Sequence, residues 1–414
     1  MSLNPTDIWY GGRAGLHQYG DVILKKAQLV GILERLGQEL EPTQSQYDTA
    51  KDHYEAVGNW LAASGDPILK SVSIYPQGSV SLQTVTKPLA NDEYDVDLVC
   101  HAPNLHPDGL QPDYLKKLIG VRLKENGRYT DLIEEKQRCW RINYANQFHL
   151  DITPSIPNPG CTNGGELVPD KRLRQWKATN PKGYRDQFTT RAALRPRLQL
   201  LEKAELSEMR AQVEALPDPA RFKGILRRTV QLLKRHRDVW FSGQLADLTP
   251  ISVIITTLAA RSYEYCVYHG VYDTELDVFL DVIRHMPDFI EIRLVYGRRM
   301  YYVWNETTDG ENFAEKWNQQ PELAQAFYTW QQEALEEFSR LPEVIGRDQL
   351  QAALTKSFGE RASRNAMTAS TTAISTSRQG GLLSLAPSAG LLSTTAHGLV
   401  VRPNTFFGAS EGGQ

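Results

Sequence analysis

Glu93, Asp95 and Asp97 stand at alternate positions in the stretch EYDVDLVC, beside Val96, Leu98 and Val99. In a β-strand, side chains two apart share a face, so this spacing lines carboxylates along one surface. Like charges held that close repel, and the expected counterweight is one or more metal ions. A second stretch, FHLDITPSIP, carries Asp151 between Leu150 and Ile152. Two carboxylates on one strand and a third on a neighbour can hold two divalent cations about 4 Å apart, one activating an attacking hydroxyl and the other stabilising a leaving pyrophosphate. Oxygen-only ligands favour magnesium or manganese over zinc. Upstream, Gly78 lets the backbone approach a ligand closely, and Ser79 offers a hydroxyl and an amide to phosphate oxygens, with more amides following if a helix begins there. A solvated edge strand would not need Leu98, Val99, Leu150 and Ile152 as neighbours of its acids.

The elements that must position these residues follow from the pattern around them. In SVSIYPQGSVSLQTVT, β-branched residues approach a turn at Gly78-Ser79, after which the acidic strand begins. A helix is expected near residues 112–126, followed by CWRINYANQFHLDITPSIP, which reads as a hairpin broken at Asn146 with Asp151 on its second arm. Residues Val22 to Leu61 show apolar positions recurring at three and four, the pattern of a long amphipathic scaffold helix. From Tyr184 onward the segments RAALRPRLQLLEKAELSEMRAQVEAL, RFKGILRRTVQLLKRHRDVWF, TPISVIITTLAARSYEY and PELAQAFYTWQQEALEEFSRL carry helical periodicity. Beyond Asn365 the chain turns to Ser, Thr, Ala and Gly with little charge, a composition that buries too little apolar surface to offset its ordering entropy. The expected organisation is an α/β core at 1–183 with its N-terminal helix, a helical domain at 184–365 and a flexible tail at 366–414.

Composition narrows the function. The 414 residues suffice for two sizeable cores, and 41% hydrophobic with 23% charged residues is ordinary for a globular chain. A formal net charge of -3 argues against a protein that coats long nucleic acid. Cys100, Cys139, Cys161 and Cys266 have no paired spacing and read as reduced thiols in a cytoplasmic protein. No signal pattern opens the sequence and no apolar run reaches membrane-spanning length, so no membrane partner is expected.

Taken in order, QGS, EYDVDLV and FHLDITPSIP resemble the motif set of polymerase-β-like nucleotidyltransferases, and within them the CD-NTases, bacterial relatives of cyclic GMP-AMP synthase found in CBASS antiphage systems. WKATNPKGYRDQF, VQLLKRHRD and WNETTDGENFAEKW are similar to further segments of that family, so the resemblance spans roughly residues 20 to 340. It implies a polymerase-β-like core sheet, a helical second domain, and synthesis of a cyclic di- or trinucleotide second messenger from nucleoside triphosphates, ATP among them. It assigns metal binding to Asp95, Asp97 and Asp151, and triphosphate contacts to Gln77, Gly78, Ser79, Lys234 and Ser252. EYDVD offers two registers for the paired acids, Glu93 with Asp95 or Asp95 with Asp97, and the apolar LVC directly after Asp97 favours the second. The family's Asn-Pro is Asn305-Glu306 here, so no role is carried to that pair.

Physical reading leaves two of these assignments open. Arg227, Gln231, Lys234 and Asp238 recur at four, three and four, a polar stripe that serves either phosphate or solvent. Ser252 reads either as a phosphate contact or as a helix-start residue that caps its own backbone. His149 and His236 read as structural. The terminal VVRPNTFFGASEGGQ suits a binding partner better than a core, and the resemblance implies either a ubiquitin-transfer-like conjugating enzyme or a HORMA-type protein. Two rival classes fit the same core: a nucleotidyltransferase that modifies RNA, protein or a small molecule, and a catalytically silent nucleotide-binding interaction protein.

Overall fold

The computed structural model describes residues 22–379 except 24, 90–92, 146, 171–173, 200–222 and 244, together with short strands at 384–386, 390–392 and 399–400. Helix α1 (25–39) buries Leu29, Leu33 and Leu36, and Leu40 directly after it continues the four-three-four spacing along one face. Pro42 then breaks the run, because its ring cannot continue the helix it follows. Thr43 starts α2 (Gln44–Ala62) with a capping box, its hydroxyl accepting from the Gln46 amide at 3.3 Å while the Gln46 side chain accepts from the Thr43 amide at 2.9 Å. The single helix expected over Val22–Leu61 is therefore two helices.

Next come α3 (Pro67–Lys70), β1 (Ser73–Pro76), α4 (Gly78–Leu82), β2 (Tyr94–His101), α5 (Tyr114–Lys124), β3 (Ile133–Glu135), β4 (Trp140–Tyr144), β5 (Phe148–Pro157), β6 (Glu166–Pro169) and β7 (Trp176–Thr179). One sheet runs β1-β2-β5-β4-β3, and β6 joins β5 and β7. Strands β2 and β5 are parallel, while β1 pairs with β2 and β4 with β5 in antiparallel fashion, so the expected hairpin over residues 139–157 forms. A parallel pair at the middle of a sheet must be covered on both faces, which accounts for the dense apolar run through Val96, Leu98, Val99, Leu150 and Ile152. One face packs Tyr94, Val96, Leu98 and Cys100 with Val57 and Leu61 of α2 and Leu115, Ile119 and Leu123 of α5. Gly120 is required there, since a Cβ would lie 2.1 Å from the Trp140 ring.

The rest of the described chain is mainly helical: α6 (Pro181–Ala192), α7 (Ile225–Trp240), α8 (Ser252–His269), α9 (Glu275–His285), the hairpin β8 (Glu291–Val295) and β9 (Arg298–Tyr302), α10 (Pro321–Arg340), α11 (Arg347–Phe358) and α12 (Glu360–Gln379). These helices and the apolar face of α1 share a second core. Helix α7 is its axis and is buried nearly all round, charged side chains included. Arg228 donates to both oxygens of Glu34 at 2.8 and 2.6 Å and to Glu41 at 2.8 Å, and Gly37 leaves the room that its side chain occupies.

The expected tail needs correction in its first part. Residues 366–379 continue α12, with Ser363 and Ala366 fully buried and Met367 nearly so, because three- and four-residue spacing turns these small and apolar side chains onto the second core. Most of VVRPNTFFGASEGGQ, residues 200–216 of the first expected helical segment and residues 221–222 of the second lie outside the described residues. Among the described residues no helix is long and apolar enough to cross a membrane.

Candidate active site

The carboxylates are set by strand register. Asp97 and Asp151 are direct partners across the parallel β2–β5 pair, and Asp95 lies two residues before Asp97 on the same face. Arg141, opposite Asp151 on β4, donates Nε and Nη2 to the two Asp151 oxygens, each at 2.7 Å, and Nη2 also reaches Asp95 at 3.1 Å. The guanidinium thus bridges two of the three acids. Asp97 is left without such a partner. Burial, then the neighbouring Asp151 and Asp95 charges, push its carboxyl up to about 7. Glu93 stands apart, with its carboxylate 3.2 Å from His149 Nε2.

Strand β1 delivers the phosphate-binding candidates to the same point. The Gln77 amide donates to the Asp97 carbonyl at 2.8 Å, which pins the turn onto β2. Gly78 then takes φ of +58°, and a Cβ there would fall 2.8 Å from Asp97 Oδ2. Helix α4 begins at this glycine, so the amides expected after Gly78-Ser79 are present.

Helix α7 closes the other side. Lys234 is buried and donates to the Thr84 carbonyl at 2.8 Å, while Gln231 holds the Val85 carbonyl at 3.0 Å and Arg227 the Leu82 carbonyl at 3.2 Å. Three of the four stripe residues therefore form a seam against residues 82–85, while Asp238 pairs with Arg237. Burial, reinforced by Arg237, brings the Lys234 ammonium down to about 8, with Asp238 and Asp97 opposing. Ile251 takes the N-cap position of α8 and Ser252 is its first helical residue, with a hydroxyl that accepts from Arg237 Nη1 at 2.9 Å.

Gln77, Gly78, Ser79, Asp95, Asp97, Lys234 and Ser252 line one cavity of about 530 Å³ between the sheet and the helices. Asp151 is not part of that lining and sits under Arg141. Among the described residues no three acid, histidine or cysteine side chains close on one point as a finished metal cage. The donor chemistry still suits a hard cation: the oxygens are all carboxylate, they share a strand register, and the cationic Arg141 already occupies the position between two of them.

Three further wall residues were not foreseen from the sequence. Arg237 follows Lys234 by one turn, and Asn305 and Glu311 belong to the WNETTDGENF loop, where Asn305 donates to Glu311 at 2.7 Å. Burial raises the Glu311 carboxyl above the ordinary range. The sequence signal was the loop's polarity, and its inward turn shows only in the fold. His236 accepts from Trp330 Nε1 at 2.9 Å in the second core, which agrees with a structural histidine.

Comparison with known proteins places this geometry. Residues 28–191 match the Second Messenger Oligonucleotide or Dinucleotide Synthetase domain. A c-di-GMP synthase of Roseivirga ehrenbergii is 31% identical over 391 residues, 92% of this chain and 98% of that protein. Among solved structures, the Bradyrhizobium diazoefficiens CD-NTase CdnG in complex with GTP superposes with a TM-score of 0.62 at 20% identity, covering 82% of this chain and 98% of that one. The Escherichia coli MS115-1 CdnC in its HORMA complex does so with 0.53 at 12%, covering 79% and 96%; both likenesses concern the fold. With a relative this similar along nearly its whole length, the chain belongs to the CD-NTase family of nucleotidyltransferases.

Proposed function

We propose that the protein is a cyclic dinucleotide synthase that joins two nucleoside triphosphates, with GTP as a substrate. The observation that carries this reading is the convergence of Gly78-Ser79, Asp95 and Asp97 with Lys234, from two distant parts of the chain, on one cavity. In this reading Gln77, the α4 amides, Ser79, Lys234 and Ser252 hold the triphosphate, while Asp95, Asp97 and Asp151 hold Mg2+ or Mn2+. Bound there, divalent cations neutralise phosphate charge and favour ionisation of the attacking hydroxyl. The chain's own contribution is alignment: a ribose hydroxyl attacks an α-phosphate, pyrophosphate leaves, and a second transfer closes the ring. GTP is favoured by the name of the relative that matches along nearly its whole length.

The test incubates the protein with each ribonucleotide and Mg2+ or Mn2+, then treats the products with phosphatase. A small phosphatase-resistant product that contains guanine is expected. Its yield should fall more than about 100-fold in the Asp95→Asn, Asp97→Asn double variant, beyond the usual cost of an outer-shell change. Linear or macromolecular products would favour another nucleotidyltransferase, and the absence of pyrophosphate a silent binding protein.

We infer further a role in antiphage defence, with the C-terminal peptide handled by a ubiquitin-transfer-like or HORMA-type partner. Family membership supports this. Phage challenge of cells carrying the system with and without residues 400–414 tests it, and protection that is indifferent to the deletion would remove the peptide from the account.

A further inference from the structure

Residues 84–89 form a strap with a cavity on each side. Thr84, Val85, Thr86 and Pro88 line the catalytic cavity, and Lys87, Pro88 and Leu89 line a second one behind it. Neighbouring α7 residues hold the strap from below: Lys234 binds the Thr84 carbonyl and Arg235 Nη2 the Lys87 carbonyl, each at 2.8 Å. The Lys87 amide donates to Leu40 at the end of α1, also at 2.8 Å.

The rear cavity encloses about 280 Å³. Two independent features meet in it. The first is Arg235, only 6% exposed, whose Nε is buried with no hydrogen-bond partner. A guanidinium N–H in that state costs free energy that an anion would recover. The second is the opening turn of α12, a 20-residue helix whose first residues, Glu360 to Ala362, line the same space with the helix's positive end, next to Gly359 just before them. Arg361 in this turn adds a second guanidinium; burial lowers the Arg235 pKa, with Asp238 opposing and the Arg361 charge adding to the effect. Of the two acids in the wall, Glu360 pairs with Arg364, and Glu39 accepts from Asn365 of the same wall at 3.0 Å.

We propose that this rear cavity binds the phosphate group of a small phosphorylated molecule, held by Arg235 and Arg361 at the N-terminus of α12. Forked guanidinium donors and a helix N-terminus both suit phosphate oxygens. The cavity has room for more than the phosphate itself. Because Arg235 also holds the strap, occupancy of the rear cavity bears directly on a wall of the catalytic one.

The test follows thermal unfolding of the full chain against inorganic phosphate and, separately, ribose 5-phosphate, at constant ionic strength made up with chloride. Wild type and Ser79→Glu, which puts a carboxylate into the catalytic phosphate cradle and leaves the Lys234 and Arg235 bonds to the strap in place, should both gain stability with dose. Arg361→Glu should lose the response, its apparent affinity falling at least about tenfold, the scale of one charge-assisted hydrogen bond. A stronger response to ribose 5-phosphate assigns the site to an organic phosphate, and an equal or weaker one to free phosphate. Hydrogen exchange on the wild type gives a readout independent of any variant, with slowed amides expected at 84–89 and 359–363. The proposal fails if neither probe stabilises the wild type, if Arg361→Glu responds as wild type does, or if protection appears only at 78–82.

Discussion

At the scale of single residues the site is a balance of uncompensated charge. Asp97 is buried beside two other carboxylates, while the Arg141 hydrogen bonds go to Asp95 and Asp151, and the more distant Arg141 and Lys234 charges only partly oppose the effect of burial. Its carboxyl titrates at about 7 in the fold against an ordinary 3.8. Between those values the folded chain keeps a proton that the unfolded chain has released, so this group lowers stability as pH rises from about 4 to about 7. In chelator, Asp97→Asn is therefore expected to unfold at a higher temperature than wild type above pH 7, by up to about 4 kcal/mol in stability. The advantage should shrink toward pH 4. Melting curves that run parallel at every pH would show that Asp97 is not a buried, repelled carboxylate. The acids were legible in the sequence because strand alternation is a local rule. Arg141 was not, since nothing in WRINY distinguishes a bridging arginine from a solvated one until β4 is laid against β5.

At the scale of elements, the decisive feature is the turn from β1 into α4. Gly78 combines a left-handed φ with a contact that admits no Cβ. Gly78→Ala should cost about 1–2 kcal/mol in backbone strain and push the α4 amides away from Asp97. Thermal denaturation should show the loss of stability, and calorimetric titration with nucleotide a larger loss of binding; an alanine variant that binds as wild type does would mean the turn has no part in the cradle. The glycine and serine were visible as a turn, but their meaning depended on the short helix that follows. Helix α7 was harder to read: its pattern of basic residues looks solvent-facing, yet Arg228, Lys234, Arg235 and Arg237 are all buried. Periodicity reports which residues share a face and is silent on what covers it.

At the scale of the whole molecule, pairs distant in sequence tie the N-terminal helix α1 to the axis of the second core. Removing the guanidinium of Arg228 strands Glu34, which is 8% exposed. Arg228→Met should destabilise the protein by about 3–5 kcal/mol, whereas Arg228→Met with Glu34→Met should recover most of that loss. Denaturant titrations of the three proteins decide the matter, and a single variant no weaker than the double would refute a buried pair. The second whole-molecule prediction concerns the C-terminus. Ending the chain after residue 379 should leave the melting temperature and nucleotidyl transfer close to full-length values, whereas ending it after residue 365 removes Ala366 and Met367 from the core and should lower the melting temperature by several degrees, as a change of about 1–2 kcal/mol does. Equal melting temperatures for the two truncations would place residues 366–379 outside the cooperative unit.

The sequence by itself determined the chemistry on offer: carboxylates at strand spacing, a glycine-serine turn ahead of them, and helices to follow, all consequences of local stereochemistry that neighbouring residues carry on their own. Tertiary structure alone decided that residues 78, 97 and 234 share a cavity, that Arg141 bridges Asp95 and Asp151, that Pro42 separates two helices belonging to different cores, and that α12 extends to Gln379. The physical reason is that burial and charge compensation depend on segments far apart in the chain, and no local pattern records which of them will meet.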